Sequence, residues 1–446
     1  MQIEMCAVGG YSVSGKNMSA LRVGNEVIII DMGVNIESLV TYEAEEGSTK
    51  NLSTEKLMNI GAIPNDRVIA DWVDDVKGII LGHCHLDHIA AVQYLAPKYN
   101  CPIFGSSFSL SVLKEIFKDD KISIHNKFKS VELDSKFKVS KNISVELISC
   151  THSTMQCAIV AIHTPEGVII YANDFKFDDH PVIGNKTNYK RLEELGKSGE
   201  VIALICNSLY ANTPGSTPSE NVARELVKDA LLDNSHSGAV FITTFSSHIQ
   251  RLHSIIEFGR KMNRKVIILG RSMAKYIHAA ENVGIIDFSS KSEIFKYGRE
   301  RIRMLKEINA NREKYIVICT GGQGEPGSIL DKIVNNELPF NFKEGDSILF
   351  SCNTIPVPLN MANRARLEAS LKTFNVSIFS GLHSSGHAFR DDKRKLIKMV
   401  NPKVLIPCHG DANQESSLVD LACEMGFKLD VSVFQLHNGQ KLVLNE

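Results

Sequence analysis

The sequence predicts an α/β protein in which a first domain, residues 1–208 and 373–446, is interrupted by a second, residues 209–372. Three observations predict it. At 446 residues the chain is too long for one ordinary core. Short β-branched runs closed by Asp or His occur up to about residue 205 and resume after about 373. Between them, apolar runs alternate with charged helical segments, the pattern of a mainly parallel sheet with helices on both faces.

In chain order, Glu26-Val27-Ile28-Ile29-Ile30 reads as a buried strand ending in Asp31. The stretch 42–49 (Tyr42-Glu43-Ala44-Glu45-Glu46-Gly47-Ser48-Thr49) reads as an acidic loop. Gly78-Ile79-Ile80-Leu81 then leads into Gly82-His83-Cys84-His85-Leu86-Asp87-His88, which places four metal-capable side chains within six residues. Ser144-Val145-Glu146-Leu147-Ile148 leads to His152, Val168-Ile169-Ile170-Tyr171 to Asp174, and Val404-Leu405-Ile406-Pro407-Cys408 to His409. Imidazole nitrogen and carboxylate oxygen are what a zinc-like ion takes when a position stays open for water. Ligands of one site should sit on neighbouring strand tips. A first metal is therefore expected on His83, His85 and His152, a second on Asp87, His88 and His409, with Asp174 bridging. Asp31 is expected behind them, fixing the tautomer of a ligating histidine.

The interrupting domain carries Val240-Phe241-Ile242, Val266-Ile267-Ile268-Leu269, Tyr315-Ile316-Val317-Ile318 and Ser347-Ile348-Leu349-Phe350 as strands, and Glu220 to Val227 as part of a helix. It holds no ligand-like cluster. Its basic stretches, Arg260 to Lys265 and Arg299 to Arg303, suit solvated helix faces better than a nucleic-acid surface. The net charge of −1 is not the profile of a protein that grips nucleic acid along a broad basic face. The ten cysteines are scattered without a Cys-x-x-Cys pair, which fits reduced thiols in a cytoplasmic protein. Cys84, Cys150 and Cys408, beside proposed ligands, read as small buried fillers. No apolar run reaches the roughly 18 residues of a membrane span, and nothing at the start suggests export.

The order Asp31, His-x-His-x-Asp-His, His152, Asp174 resembles the metallo-β-lactamase superfamily. The later motifs are similar to those of the β-CASP nucleases, and among them to ribonuclease J. They include Thr213-Pro214-Gly215-Ser216-Thr217-Pro218, Thr320-Gly321-Gly322-Gln323-Gly324-Glu325-Pro326, His383-Ser384-Ser385-Gly386-His387-Ala388 and Pro407-Cys408-His409-Gly410. Gly15-Lys16-Asn17-Met18 and Asp174-Phe175-Lys176-Phe177-Asp178 agree. The resemblance spans essentially the whole chain. It implies a metallo-β-lactamase αββα sandwich with an inserted β-CASP domain, in a short form that stops soon after His409 and lacks a C-terminal assembly domain.

The resemblance further implies a two-metal phosphodiesterase acting on single-stranded RNA, as a 5′-to-3′ exonuclease favouring 5′-monophosphate ends, with endonuclease activity besides. Zinc is the expected metal, with manganese or magnesium as alternatives. A homodimer is an open expectation. Asp87, His387 and Asn207 form the expected catalytic set, His387 as the acid that protonates the leaving 3′-oxygen. His383, Ser385, Gly386 and His387, with Ser247 and Ser351, are expected to cradle the terminal phosphate. Where the family has an acidic partner for that histidine in an Asp-Ser-Thr context, this chain has Asn207-Ser208-Leu209. An amide supplies no charge to hold an imidazolium. On this reading Asn207→Asp raises turnover. Two alternatives stand beside the ribonuclease. One is a hydrolase of single-stranded DNA or small phosphodiesters on the same fold. The other is a catalytically weakened scaffold that binds metal and RNA.

Overall fold

The computed structural model describes residues 1–49 and 52–445. The strands in chain order are β1 (Ile3–Gly9), β2 (Met18–Val23), β3 (Glu26–Ile30), β4 (Val76–Ile80), β5 (Ile103–Gly105), β6 (Phe128–Ser130), β7 (Lys136–Lys138), β8 (Ser144–Cys150), β9 (Cys157–Thr164), β10 (Gly167–Ala172), β11 (Val201–Asn207), β12 (Val240–Thr243), β13 (Lys265–Leu269), β14 (Glu293–Phe295), β15 (Tyr315–Cys319), β16 (Ser347–Phe350), β17 (Ser377–Phe379), β18 (Val404–Cys408) and β19 (Lys441–Val443). The described residues form two compact units. One comprises 1–179, 184–217 and 386–446, the other 180–183 and 218–385.

The first unit holds two sheets, ordered β19-β1-β2-β3-β4-β5-β6 and β18-β11-β10-β9-β8-β7. Alternation along each strand builds the layers. Val145 and Leu147 of β8, Ile169 and Tyr171 of β10, and Ile28 and Ile30 of β3 share the core between the sheets. Ile148, Ile170 and Leu204 face the other way, into a core closed by the helices Tyr189–Ser198, Arg390–Val400 and Ala412–Glu424. Strands covered on both faces must be apolar throughout, so β3, β10 and β11 read as continuous runs and not as alternation.

The second unit is one six-stranded sheet, β14-β13-β15-β12-β16-β17, in which every pairing is parallel. Helices such as Glu220–Leu232, Ile249–Lys261 and Gly298–Ala310 alternate with its strands in the chain. A buried ion network braces it. Arg251 is wholly buried, forms a two-pronged pair with Glu220, and donates further to the carbonyls of Ser351 and Leu382.

One sequence expectation is corrected. Tyr42 to Glu45 are not loop but the end of the helix Ile36–Glu45. The helix starts because the Asn35 side chain accepts from the Ser38 N–H, and Glu37 sits in the first turn against the helix dipole. The clustered acidic residues masked a segment with adequate helix propensity.

Candidate metal centre

The ligand-bearing loops leave the same end of the first unit's two sheets. β3 and β4 run parallel and deliver Asp31 and the His83-to-His88 turn side by side. β10, β11 and β18 are parallel neighbours, which aligns Asp174, Asn207 and His409. Two of these tips have left-handed backbone at non-glycine residues, Asp31 (φ 61°) and His409 (φ 51°). Such strain persists only where surrounding contacts over-determine it. Gly33 permits the close approach of the Asp87 backbone: a Cβ there would lie 1.5 Å from the Asp87 carbonyl oxygen.

The geometry brings together seven of the predicted side chains in two groups. His83, His85, His152 and Asp174 form one, and Asp87, His88 and His409 the other. In the first, His85 Nδ1 lies 3.1 Å from both His83 Nε2 and His152 Nε2. Asp174 Oδ2 is 3.3 Å from His83 Nε2 and from His152 Nε2. In the second, Asp87 Oδ2 is 3.5 Å from His88 Nε2 and 3.4 Å from His409 Nε2. A tetrahedron of bonds near 2.1 Å has edges of about 3.4 Å, so these spacings suit a small divalent cation in each group. Asp174 links the groups, with Oδ1 3.5 Å from His409 Nε2 and Oδ2 3.6 Å from His88 Nε2.

Outer contacts aim the rings. His152 Nδ1–H donates to the Gly386 carbonyl at 2.6 Å, which leaves Nε2 for a metal. His88 Nδ1–H donates to Asp31 Oδ2 at 2.8 Å. The Gly15 N–H donates to His409 Nδ1 at 3.1 Å. Burial and the neighbouring His88 hold the His83 imidazole well below its ordinary pKa, and burial lowers His85 and His409 also. Burial acts the same way on His88, but the carboxylates of Asp87, Asp31 and Asp174 outweigh it and raise that ring well above the usual value. Burial disfavours the Asp174 carboxylate, yet the surrounding imidazoles keep its pKa well below the ordinary range. The site is therefore a buried concentration of negative charge among nitrogen donors, which is what a divalent cation needs.

His387 belongs to this group of rings, its centroid 5.0 Å from that of His152 and its Nδ1 3.6 Å from Asp174 Oδ1. Burial, reinforced by His152, His409 and His85 against the pull of Asp174, brings its pKa down to about 3. Asn207 is wholly buried and turned to Asp174. Its Nδ2 donates to Asp174 Oδ1 at 2.6 Å, and its Oδ1 accepts from the Leu209 N–H at 2.7 Å.

Gly386 lies in the first unit with His387, while Ser247, Ser351, His383 and Ser385 lie in the second. Ser351 is fully buried, its hydroxyl donating to the Leu382 carbonyl at 2.8 Å and accepting from Arg251 at 2.9 Å. The His383 ring is 6.0 Å from Phe245 and 6.3 Å from His248, centroid to centroid. Cys84 and Cys408 are buried and their thiols are pushed up by burial, Cys84 to about 12, which keeps them protonated.

Sequence reasoning missed Asn17, whose Nδ2 donates to the Asp87 carbonyl at 3.1 Å and lies 3.3 Å from Asp87 Oδ2. It also missed Tyr171 and Asn173, which lie behind Asp31. A polar residue placed between a buried strand and Asp174 was the available signal for Asn173.

Three family models match successive parts of the chain. Residues 13–196 match the metallo-beta-lactamase superfamily, 237–365 the beta-CASP domain of ribonuclease J, and 374–433 the Zn-dependent metallo-hydrolase RNA specificity domain. The chain is 39% identical over 446 residues to a ribonuclease J of Methanocaldococcus jannaschii, covering 99% of both. It is 40% identical over 440 residues to one from Pyrococcus abyssi, covering 98% of this chain and 96% of that protein. Ribonuclease J 1 of Streptococcus pyogenes is 28% identical, with 99% of this chain and 74% of the relative covered. Among solved structures, a protein of unknown function from Enterococcus faecalis shares the fold, with a TM-score of 0.71, 17% identity and full coverage of both chains.

Proposed function

This chain belongs to the ribonuclease J family, and from that premise we propose that it works 5′ to 3′ on single-stranded RNA with 5′-monophosphate ends, with endonucleolytic cleavage as a second mode. The observation that carries the reading is the pair of donor groups joined by Asp174. His83, His85, His152 and Asp174 would hold one divalent cation and Asp87, His88 and His409 a second, which would supply Lewis acidity and an activated water to a phosphodiester. The histidine-rich donor set favours zinc over manganese or magnesium.

The chain's own residues do the rest. Asp174 and Asp87 provide the negative charge that keeps the cations in place. Asp31 and the Gly386 carbonyl fix the two ring orientations described above. His387 carries the proton to the leaving 3′-oxygen. Within the second unit, the hydroxyl and backbone N–H donors of the segment from His383 to Ser385, and the hydroxyl of Ser247, are of the kind that takes a terminal 5′-phosphate. Ser351 serves by holding Leu382 and Arg251, since its hydroxyl is engaged by both.

The test incubates metal-loaded protein with one single-stranded RNA bearing 5′-monophosphate, 5′-hydroxyl or 5′-triphosphate ends, and with the matching DNA. Mononucleotides released preferentially from the monophosphate RNA, and reduced on the order of 100-fold or more in His85→Ala, are the expected result. Cleavage of DNA alone, or no cleavage despite two bound ions, would sink it; the second outcome would favour a binding scaffold.

A further inference from the structure

Behind the candidate metal centre runs a chain of buried polar groups whose donor directions are fixed. Leu209 N–H can only donate, and it reaches Asn207 Oδ1 at 2.7 Å. The amide is thereby oriented, and its NH2 group faces Asp174 Oδ1 at 2.6 Å and Asn173 Oδ1 at 3.5 Å. With its oxygen accepting, Asn173 turns its own NH2 to the Tyr171 hydroxyl at 2.7 Å. Tyr171 donates in turn to Asp31 Oδ2 at 3.0 Å, the oxygen that also receives His88 Nδ1–H. Asn207, Asn173, Tyr171 and Asp31 are each no more than 4% exposed. Burial and the adjacent Asp31 raise the phenol's pKa well above its usual value, so it stays a donor.

We propose that Asn207, Asn173 and Tyr171 form a one-way hydrogen-bonded strap tying the bridging carboxylate of Asp174 to the outer nitrogen of His88, with Asn207 as a positioning donor to Asp174. The strap rests on the metal-centre reading and extends it. It also gives residue 207 a different task from partnering His387. An aspartate there would have one oxygen accepting from Leu209 N–H and the other facing Asp174 Oδ1 with no hydrogen between them. It would also leave the Asn173 carbonyl without its donor. In this chain the carboxamide is thus the group that fits.

The test is metal affinity measured without RNA, by titrating full-length protein with zinc against a chromophoric chelator, and by the absorption spectrum of the cobalt-substituted form. The variants are Asn207→Asp, Asn207→Leu and Tyr171→Phe. Each is expected to hold one ion about 10- to 100-fold more weakly and to alter the cobalt spectrum, the range seen when partners of metal ligands are removed. Asn207→Asp that retains both ions at wild-type affinity and hydrolyses RNA faster would overturn the proposal and assign residue 207 to His387. Unchanged affinity in Asn207→Leu would also overturn it. Should both Asn207 variants fail to fold by circular dichroism, Tyr171→Phe, which removes one oxygen, decides by the same affinity criterion. Wild-type protein that binds two ions but cuts no RNA would end the ribonuclease reading and leave this one standing.

Discussion

Buried imidazoles and carboxylates set the chemistry of single residues here, because each charge out of water must find a partner. Asp31 shows how much one side chain can carry. Its two oxygens take the Gly82 N–H at 2.9 Å, the Tyr171 hydroxyl and the His88 ring. Gly33 carries a steric duty instead, and Gly33→Ala is expected to destabilise by about 3 kcal/mol through forced displacement of the Asp87 backbone. Urea unfolding with metal analysis checks this, and unchanged stability with two ions retained would refute it. At this scale the types of the clustered nitrogen and oxygen donors were legible from residue identity alone. The partner of Asn207 was not, since Asp174 and His387 lie 33 and 180 positions from it and only folding chooses between them.

Elements owe their stability to pairs that link them. Glu146 of β8 is buried and bonded to Arg191 of the helix Tyr189–Ser198 and to His163 of β9. Burial opposes its charge, but the His163 and Arg191 bonds prevail and bring its pKa down to about 2. A depressed carboxylate stabilises fully above its unfolded pKa and loses that contribution as pH falls toward the folded value. The stability gap between wild type and Glu146→Gln should therefore be constant above about pH 5 and close between about pH 4.5 and 2. Urea midpoints across that range measure it, and a gap independent of pH would contradict the assignment. In the second unit, Glu220→Ala leaves the Arg251 guanidinium buried without its carboxylate, which is expected to cost about 3–5 kcal/mol. A loss under about 1 kcal/mol in chemical denaturation would show that water reaches the guanidinium. The strands of both units were legible because β-branched runs are local signals. The helix at 36–45 was not, because its acidic residues imitate a loop while its cap decides.

For the whole molecule, metal and charge make two predictions. Ions that bind only the folded centre stabilise it by mass action, so a strong chelator should lower the thermal midpoint of wild type and lower that of His85→Ala less, since the variant keeps the group of Asp87, His88 and His409. Equal shifts would place the stabilising ions elsewhere. With a net charge of −1, RNA binding should depend weakly on salt, with a log–log slope shallower than about −3; a steeper slope would reveal a basic track. Among the described residues no helix is long and apolar enough to cross a membrane. The sequence by itself determined the two kinds of sheet, the strand tips and the donor residue types gathered at those tips. It could do so because periodicity and ligand chemistry are written in neighbouring positions. The tertiary structure alone decided which oxygen of Asp174 meets which ring, that Asn207 donates to it, and that Asn173 and Tyr171 stand behind Asp31. Those choices depend on parallel strands such as β10, β11 and β18 being brought side by side from distant parts of the chain, and on which lone pairs then remain to be filled.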